Sequence, residues 1–494
     1  MVKILGLCAS AGRFREPECE DVPPPKQSDC CICITSRFKG PERENVVINI
    51  PSSDQEESEC CIYRVPKQLR KINKEAYTPK HVSIGPFHHR QKELSGMEIH
   101  KQRYSDYFFQ RPTLKKSKED LQKIIEDNEE KIRNCYSDNC RLKSEDFVKM
   151  ILLDAIFIIE LFLRKWGNKM DYISRKPWLE VGIKHDLILL ENQLPFFVLE
   201  DLYMSSGCNH CEEGEQIDEH KMGLKEDESN DALDFVKLSL NYFSDQHGIG
   251  EEVTKTPISE KVKHFTDLLR YLFCSSIPKL FRTNQGPLYP LYCAKELDHA
   301  GLKFKAAAEK RKLLEIQFHQ NSYWCFNCSC LLSCLPCFKC FPFLESMQCI
   351  LEVPPFQIHD DTEGIFRNLM ALEQSHYPYN AYICNYVVLL DYLINTEEDV
   401  DLLTKKKVIV NMLGSNAAVA TLINKLSDQI TEARSCYHDI AQNLNDHYEL
   451  PLNQILATLT REYFPNIFRG TATIVGLIVL GFTFWSFIKS FVHV

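Results

Sequence analysis

The sequence predicts a mostly α-helical protein, with a large helical domain that contains few short strands and one transmembrane helix at its C-terminal end. Three observations predict this fold class. Apolar residues recur with a helical period through most of the chain, strand-like runs are few, and a long uncharged run lies near the C-terminus. The 494 residues are 44% hydrophobic and 26% charged, which is ordinary globular usage and allows a large buried core.

The N-terminal segment, residues 1–58, is expected to be irregular. It contains three consecutive prolines at 23–25 and most of an acidic run at 54–59, without a sustained hydrophobic period. Apolar positions then return, so we expect one helical domain over residues 59–465. Within it, residues 205–230 are acidic and contain glycine, which favours a solvated loop.

The central helix of this domain should cover Ser144–Trp166, because this run is apolar nearly all round. Its carboxylates, Asp154 and Glu160, argue against a membrane span there. Pro195 should divide the apolar run 184–203 into two halves. Periodicity predicts further helices at 99–110, 118–136, 230–242, 259–275, 361–376, 382–395, 417–426, 430–448 and 451–463, and short strands at 351–353 and 408–410.

The C-terminal run predicts a single transmembrane helix over residues 468–489. Residues 470–488 carry no charge, and at 1.5 Å per residue they give about 28 Å of helix, the hydrocarbon thickness of a bilayer. Arg469 and Lys489 bracket the run, and Trp485 lies where an interfacial aromatic is expected. A buried helix of a soluble domain is the alternative, but such a helix rarely lacks a polar face over five turns.

The position of this helix predicts a topology. An anchor so close to the C-terminus would insert after synthesis, leaving the main domain in the cytoplasm, and the plasma membrane is our first expectation for its location. Residues 1–14 faintly resemble a signal peptide, which would place the main domain outside the cell. Their apolar run is at the short limit for that role, so we favour the cytoplasmic arrangement.

Charge and cysteine content exclude some classes of protein. The net charge of −10, from 58 basic and 68 acidic residues, argues against a general nucleic-acid binder. Seven of the 22 cysteines crowd into residues 325–349, whereas an extracellular disulfide framework usually spaces its cysteines through the domain. The distribution therefore favours a reducing compartment.

Several long motifs follow one another in the chain: IYRVPKQLRKINKEAYTPKHVSIGPFHH, GMEIHKQRY, DAIFIIELF, HDLILLENQLPFFVLEDL, LEVPPFQIHDDTEGIFRNLMALEQ and LGSNAAVATLINKL. In this order they resemble the plant-specific family called "domain of unknown function 247", over about residues 60–490. The resemblance implies a membrane-associated plant protein, in a family for which no activity, cofactor or catalytic residue is established as a whole. Some relatives in grasses are linked to self-incompatibility as pollen-side recognition proteins, which suggests recognition or signalling.

The cysteine-rich insertion at residues 323–349 departs from the family pattern. Cys325 and Cys328, and then Cys334 and Cys337, have the spacing of zinc knuckles, although the interval between the pairs is short for a four-cysteine finger. The apolar surroundings also suit reversible palmitoylation. The third reading is an insertion with reduced thiols and no bound group, and the sequence leaves all three open.

Carboxylates inside apolar runs are candidates for chemistry: Asp154, Glu160, Asp186, Glu191 and Asp391. Positioned carboxylates can do acid–base work or hold a metal, but buried ones more often pair with Arg, Lys or backbone donors. His81, His88 and His89 could likewise bind a metal, although cap or surface roles are more ordinary. The chain contains no phosphate-binding glycine loop, nucleophile elbow or zinc-protease motif.

We therefore assign no catalytic, cofactor-binding or metal-ligating residue, expect no cofactor and no nucleic acid, and expect that the protein is not an enzyme. The predicted function is a membrane-anchored scaffold for protein recognition or signalling, with the membrane bound through the C-terminal helix and an unknown protein partner. The alternative is a metal-dependent enzyme using buried carboxylates. Stoichiometric metal that is lost on Asp154→Asn and Glu191→Gln would favour the alternative.

Overall fold

A computed structural model of the protein describes residues 59–208, 234–243, 262–274, 286–288, 290–308, 311–319, 349–463 and 467–492. Segment 1–58, which was predicted to be irregular, lies outside these ranges, as do nearly all of the acidic stretch 205–230 and the cysteine-rich insertion up to residue 348. The described chain is mostly helical with few short strands, which confirms the predicted fold class.

The helices of the described ranges extend from residue 67 to residue 492. In order they are α1 (Lys67–Ile72), α2 (Ser95–Phe109), α3 (Lys118–Asp127), α4 (Glu129–Asn134), α5 (Ser144–Trp166), α6 (Pro177–Leu187), α7 (Phe196–Ser206), α8 (Phe235–Phe243), α9 (Phe265–Cys274), α10 (Ala294–His299), α11 (Thr362–His376), α12 (Tyr382–Leu393), α13 (Glu397–Lys405), α14 (Asn416–Leu426), α15 (His438–Glu449), α16 (Pro451–Tyr463) and α17 (Ile467–Val492).

Helix α5 lies at the centre of the N-terminal half of the domain, as its sequence predicts. It begins and ends at the predicted residues, and α2, α3, α7 and α8 pack against it. Its apolar side chains are almost wholly buried; Ile151 and Phe157, for example, have no exposed surface. A helix surrounded on all sides needs apolar residues all round, which is the pattern that this sequence shows.

Two predicted helices are shorter in the structure because side chains bond to the main chain. The run 118–136 breaks into α3 and α4 at Asn128, whose side-chain amide donates to the carbonyl of Ile124. The run 430–448 is helical only from His438. In the part that precedes it, the side chain of Asn385 donates to the carbonyl of Arg434 and accepts from the N–H of Cys436, which holds this segment in a non-helical conformation.

The strands form two small sheets in the second half of the domain. Strands β1 (Lys303–Ala306), β2 (Gln317–His319) and β3 (Ile350–Val353) form one sheet, in which β3 pairs parallel with β1 and antiparallel with β2. Strands β4 (Phe356–Ile358) and β5 (Ile409–Asn411) pair in parallel. The strands expected at 351–353 and 408–410 correspond to β3 and β5, whereas β1, β2 and β4, which are equally short, were not predicted.

Candidate functional site

Helix α17 is long and apolar enough to cross a membrane. Its segment Thr471–Lys489 has 19 residues and a mean hydropathy of 2.0, and none of it is buried against the rest of the described chain. Large apolar side chains stand in the open; Leu480, Phe482 and Trp485 are each about two thirds exposed, at 66%, 69% and 68%. An apolar surface of this size on a soluble protein marks a contact with something apolar.

The threonines of α17 fit an environment without water. Thr471, Thr473 and Thr483 each donate a hydrogen bond to a carbonyl three or four residues earlier in the same helix, at 2.8–3.0 Å. Since a helix also pairs its own backbone groups, these side chains leave no hydroxyl donor unsatisfied. The contrast with α5 is direct: α5 is also apolar, but the protein core surrounds it, whereas α17 has no such surroundings.

Asp154 on α5 is paired with Lys101 on α2. The carboxylate lies 2.6 Å from the Lys101 ammonium and accepts the N–H of Gly85 at 2.9 Å. Both side chains are almost fully buried, and Lys101 also donates to the Ser83 carbonyl and lies 2.7 Å from Glu98. Burial raises the pKa of Asp154 to about 6 even though Lys101 opposes this shift. The pair joins α2, α5 and the turn at Gly85, which is a structural role.

Glu160, six residues further along α5, binds two arginines. Its carboxylate accepts from Nε of Arg111 at 2.8 Å and from Nε of Arg164 at 2.7 Å. It is 1% exposed, so the two guanidinium groups neutralise a buried charge. Asp154 and Glu160 therefore bind separate cations and are not brought together as a catalytic pair.

Asp186 and Asn192 hold the main chain of residues 80–84. The Asp186 carboxylate accepts the N–H groups of residues 80, 81 and 82 at 2.6–3.1 Å. Asn192 accepts the N–H of Ile84 at 2.7 Å and donates to the carbonyls of Val82 and Asp186. Two of the quoted motifs, KHVSIGPFHH and HDLILLENQLPFF, are therefore bound to each other through buried side chains.

Glu191 lies in the same region and is surrounded by basic groups. It accepts the N–H of Val65 at 2.7 Å, pairs with Arg70, and has Arg64 and His88 within 3.5 Å. Burial opposes ionisation, but His88, Arg70 and the Val65 N–H outweigh it and hold the pKa of Glu191 at about 2. Its charge is thus stabilised in place, in contrast to a general acid–base group, whose pKa should lie near the operating pH.

The other candidates lie apart. Asp391 is half-buried and hydrogen-bonds Ser427, and burial raises its pKa. His81 packs beside Trp178, and burial lowers the pKa of the half-buried His89. Within the described ranges, no three His, Cys, Asp or Glu side chains are placed to hold a metal ion.

Three further polar residues complete this buried network, and none of them was predicted as a site residue. Lys101, Asn192 and Gln193 are almost fully buried, and Gln193 donates to two carbonyls of the 187–189 segment and accepts the N–H of Phe265 at 2.9 Å. The available signal was the polar triplet Glu191–Gln193 inside the apolar run 187–199, since a buried polar group needs partners.

Comparison with known proteins agrees with the resemblance seen in the motifs. Residues 62–482 match the DUF247 family, described as plant protein of unknown function. A protein named UPF0481 protein At3g47200, from Arabidopsis thaliana, is 29% identical over 453 residues, which cover 85% of this chain and 84% of the relative. A second Arabidopsis protein, putative UPF0481 protein At3g02645, is 23% identical over 496 residues, covering 81% and 86%. No solved structure matches this chain.

Proposed function

The chain belongs to the DUF247 family of plant proteins of unknown function, and on this premise we propose that it is a membrane-anchored scaffold that recognises another protein. Helix α17 is the anchor, and the helical domain carries the recognition surface on the cytoplasmic side. The plasma membrane is the membrane we expect. The protein acts by binding and has no catalytic activity of its own.

The observation that supports the proposal is that none of the apolar segment Thr471–Lys489 is buried against the rest of the described chain. Ten Leu, Ile, Val and Phe residues lie between Gly470 and Ile488. At about 0.3–0.6 kcal/mol each, their transfer into a bilayer centre gives about 3–6 kcal/mol of favourable free energy. The charged residues Arg469 and Lys489 flank the segment and can reach the lipid headgroups.

The buried carboxylates support binding over catalysis. Asp154, Glu160, Asp186 and Glu191 each have their own partners, Lys, Arg or backbone N–H groups, and each connects different parts of the fold. Groups engaged in this way are not positioned around a shared space where a substrate could react. The large helical surface is then what the anchored chain presents to its surroundings.

Membrane extraction of the intact chain tests the anchor. Leu477→Arg combined with Leu480→Arg adds about 5–7 kcal/mol of insertion cost, and the eight apolar residues that remain supply only about 2–5 kcal/mol. We expect the wild-type chain to stay in the membrane pellet after alkaline carbonate extraction, and the double variant to move to the supernatant. Ile99→Arg, at an exposed apolar position on α2, is the matched control and should behave as wild type.

A second comparison uses truncation. A chain ending at Phe464 should be found in the supernatant, and residues 467–494 alone should carry a soluble fluorescent protein to the membrane. Should the truncated chain pellet as completely as the full chain while the isolated segment leaves its passenger soluble, the anchor proposal is wrong. Protease protection in intact vesicles then reports which side holds the main domain.

Metal analysis of the purified chain distinguishes the proposed scaffold from a metal-dependent enzyme. We expect no stoichiometric metal in the wild-type protein. A bound metal that is lost on both Asp154→Asn and Glu191→Gln would contradict the proposal and support the metal-dependent enzyme instead.

A further inference from the structure

Two cysteines from distant parts of the sequence meet at the start of the helical domain. Cys61 lies in the first described segment, and Cys135 follows α4. The N–H of Cys61 bonds to the carbonyl of Cys135 at 3.0 Å, and an isolated parallel β-bridge joins the next residues, Ile62 and Tyr136. Residues paired in this way have close main chains and side chains on the same side, which is the arrangement that a disulfide bond requires.

The two thiols are free and lie in contact with each other. Their side chains form a hydrogen bond, and neither cysteine is in a disulfide. Cys135 also donates to the carbonyl of Lys131 at 3.3 Å, one turn earlier in the chain, which holds its sulfur in place. An S–S bond therefore needs only a short movement of the two sulfur atoms.

The hydrogen bond makes the two thiols chemically different. It lowers the pKa of the Cys135 thiol below its ordinary value, and burial opposes this shift. It raises the pKa of the Cys61 thiol, and burial adds to that rise. The ammonium groups of Lys131 and Lys263 further stabilise a thiolate at residue 135, while the carboxylate of Glu59 acts against it. Cys135 is therefore the better nucleophile toward an oxidant, because the thiolate is the reacting form.

The pair lies just beneath the protein surface. Cys61 and Cys135 are 5% and 6% exposed. Their neighbours in the chain are more open, since Cys60 is half-buried and Asn134 is exposed. Asn134 donates to Glu59 at 3.1 Å across this surface, and a local opening of such an exposed contact is enough to admit a small oxidant.

We propose that Cys61 and Cys135 form a modification site at which hydrogen peroxide makes a reversible disulfide bond. The Cys135 thiolate attacks one peroxide oxygen and becomes a sulfenic acid; the O–O bond breaks, and the other oxygen leaves as hydroxide, which recovers the proton that Cys135 gave up. The Cys61 sulfur then attacks the sulfenic sulfur, the S–O bond breaks, and the leaving oxygen takes the Cys61 proton as water. Two thiols and one peroxide thus give one disulfide and two waters, and the two electrons lost by the sulfurs reduce the peroxide. A dithiol reductant reverses the bond by thiol–disulfide exchange.

The bond would join parts of the fold that the reduced chain holds only by noncovalent contacts. The carbonyl of Cys61 accepts from His264 at 3.1 Å, and the hydroxyl of Tyr63 bonds to His376 at 2.8 Å, so this segment contacts distant parts of the domain. A disulfide from Cys61 to Cys135 closes a loop that contains α1 to α4 and restricts the unfolded chain, which stabilises the fold. The inference goes beyond the proposed scaffold, because it makes the stability of the anchored domain depend on peroxide.

Disulfide mapping after peroxide treatment tests this site. The full chain in detergent micelles is reduced, treated with hydrogen peroxide, blocked with N-ethylmaleimide and digested with trypsin. Two tryptic peptides are relevant, and each holds one proposed cysteine and one neighbouring cysteine: 44–64 with Cys60 and Cys61, and 134–141 with Cys135 and Cys140. We expect mass spectrometry to find these two peptides linked after peroxide treatment, and separate after dithiothreitol.

The double variant Cys60→Ser, Cys140→Ser is the matched control. It leaves one cysteine in each peptide, so a link can join only Cys61 and Cys135. Neither substitution touches the buried pair, since Cys60 and Cys140 are both half-buried, and folding should be kept. We expect the link to form in this variant as in wild type, and to be lost when Cys61→Ser is added. Peroxide should raise the melting temperature of the double variant by about 2–5 °C, with no rise in the triple variant.

The proposal is overturned if the two peptides of the double variant stay separate after peroxide treatment, with both thiols blocked or with Cys135 recovered as sulfinic acid. A link that leaves the melting temperature unchanged would overturn the stabilising effect. A disulfide already complete in chain taken from untreated cells, with thiols blocked at harvest, would overturn the reversible modification. Extraction from membranes depends on α17 and not on this pair, so the anchor proposal is tested separately.

Discussion

Substitution at the buried pair Asp154–Lys101 distinguishes a structural carboxylate from a chemical one. Asp154→Asn keeps the size of the side chain and its ability to accept the Gly85 N–H, but it leaves the ammonium of Lys101, which is 1% exposed, without its closest anion. Breaking a buried ion pair from one side costs about 3–5 kcal/mol. The Ser83 carbonyl and Glu98 still contact Lys101, so we expect the lower end of this range, about 3 kcal/mol.

The opposite substitution, Lys101→Met, adds a dependence on pH whose sign follows from the pKa of Asp154. In the folded chain this pKa is about 6, above the ordinary 3.8, so the folded state binds the proton more tightly than the unfolded state does. The stability that proton uptake contributes is therefore present below about pH 4 and is lost as the pH rises through the folded pKa. Lys101 lowers the pKa of Asp154, so in Lys101→Met this pKa should rise further and the loss of stability should continue to higher pH.

Urea unfolding of the full chain in detergent micelles, followed by tryptophan fluorescence at pH 5, 7 and 8, measures both effects. Lys101→Met should fall further below wild type in unfolding free energy at pH 8 than at pH 5. Asp401→Asn, in the exposed pair with Lys405, is the control and should change stability by less than about 1 kcal/mol. The structural role of the pair would be refuted if Asp154→Asn lowered the unfolding free energy by less than about 1 kcal/mol. It would also be refuted if the difference in unfolding free energy between wild type and Lys101→Met became smaller as the pH rises.

Two further predictions concern the same buried network. Burial raises the pKa of Glu191, but its basic neighbours and the Val65 N–H outweigh burial and hold this pKa at about 2. The stability that the Glu191 charge contributes is therefore present above about pH 4.5 and is lost as the pH falls toward 2. When the unfolding free energy is measured at a series of acid pH values, it should fall between pH 4.5 and pH 2 by about 3 kcal/mol less in Glu191→Gln than in the wild type. Gly85→Ala should lower the unfolding free energy measured in urea by about 2 kcal/mol or more, because φ of Gly85 is +70° and a Cβ there would lie 2.5 Å from the Gln193 carbonyl oxygen. Gly96→Ala is the control and should not lower it, because a Cβ at Gly96 would have no atom within 4 Å.

The parts of the fold that the sequence predicted depend on local pattern. Helix α5 needed only its apolar run, and α17 needed only a length of uncharged residues, so both were recognisable without knowledge of the fold. The segment 430–437 was predicted to be helical by the same kind of pattern, but Asn385, about 50 positions earlier, bonds to it. Periodicity contains no information about such a distant competitor for the backbone hydrogen bonds.

The candidate site was predictable to a similar extent. A carboxylate in an apolar run predicts burial, and burial predicts a partner, so the structural reading of Asp154 and Glu160 followed from the residues themselves. The identity of the partner did not follow, since Lys101 lies 53 positions from Asp154 and Arg111 lies 49 positions from Glu160.

The motifs that identify the family therefore do not point to a catalytic centre. Asp186 and Asn192 from one motif bind the main chain of another, and Glu191 reaches the Val65 N–H within the first motif. Polar residues used in this way determine how the segments pack. Within the described chain, the apolar surface of α17 combines exposure with unused capacity for binding, and a lipid bilayer is the surface whose chemistry fits it.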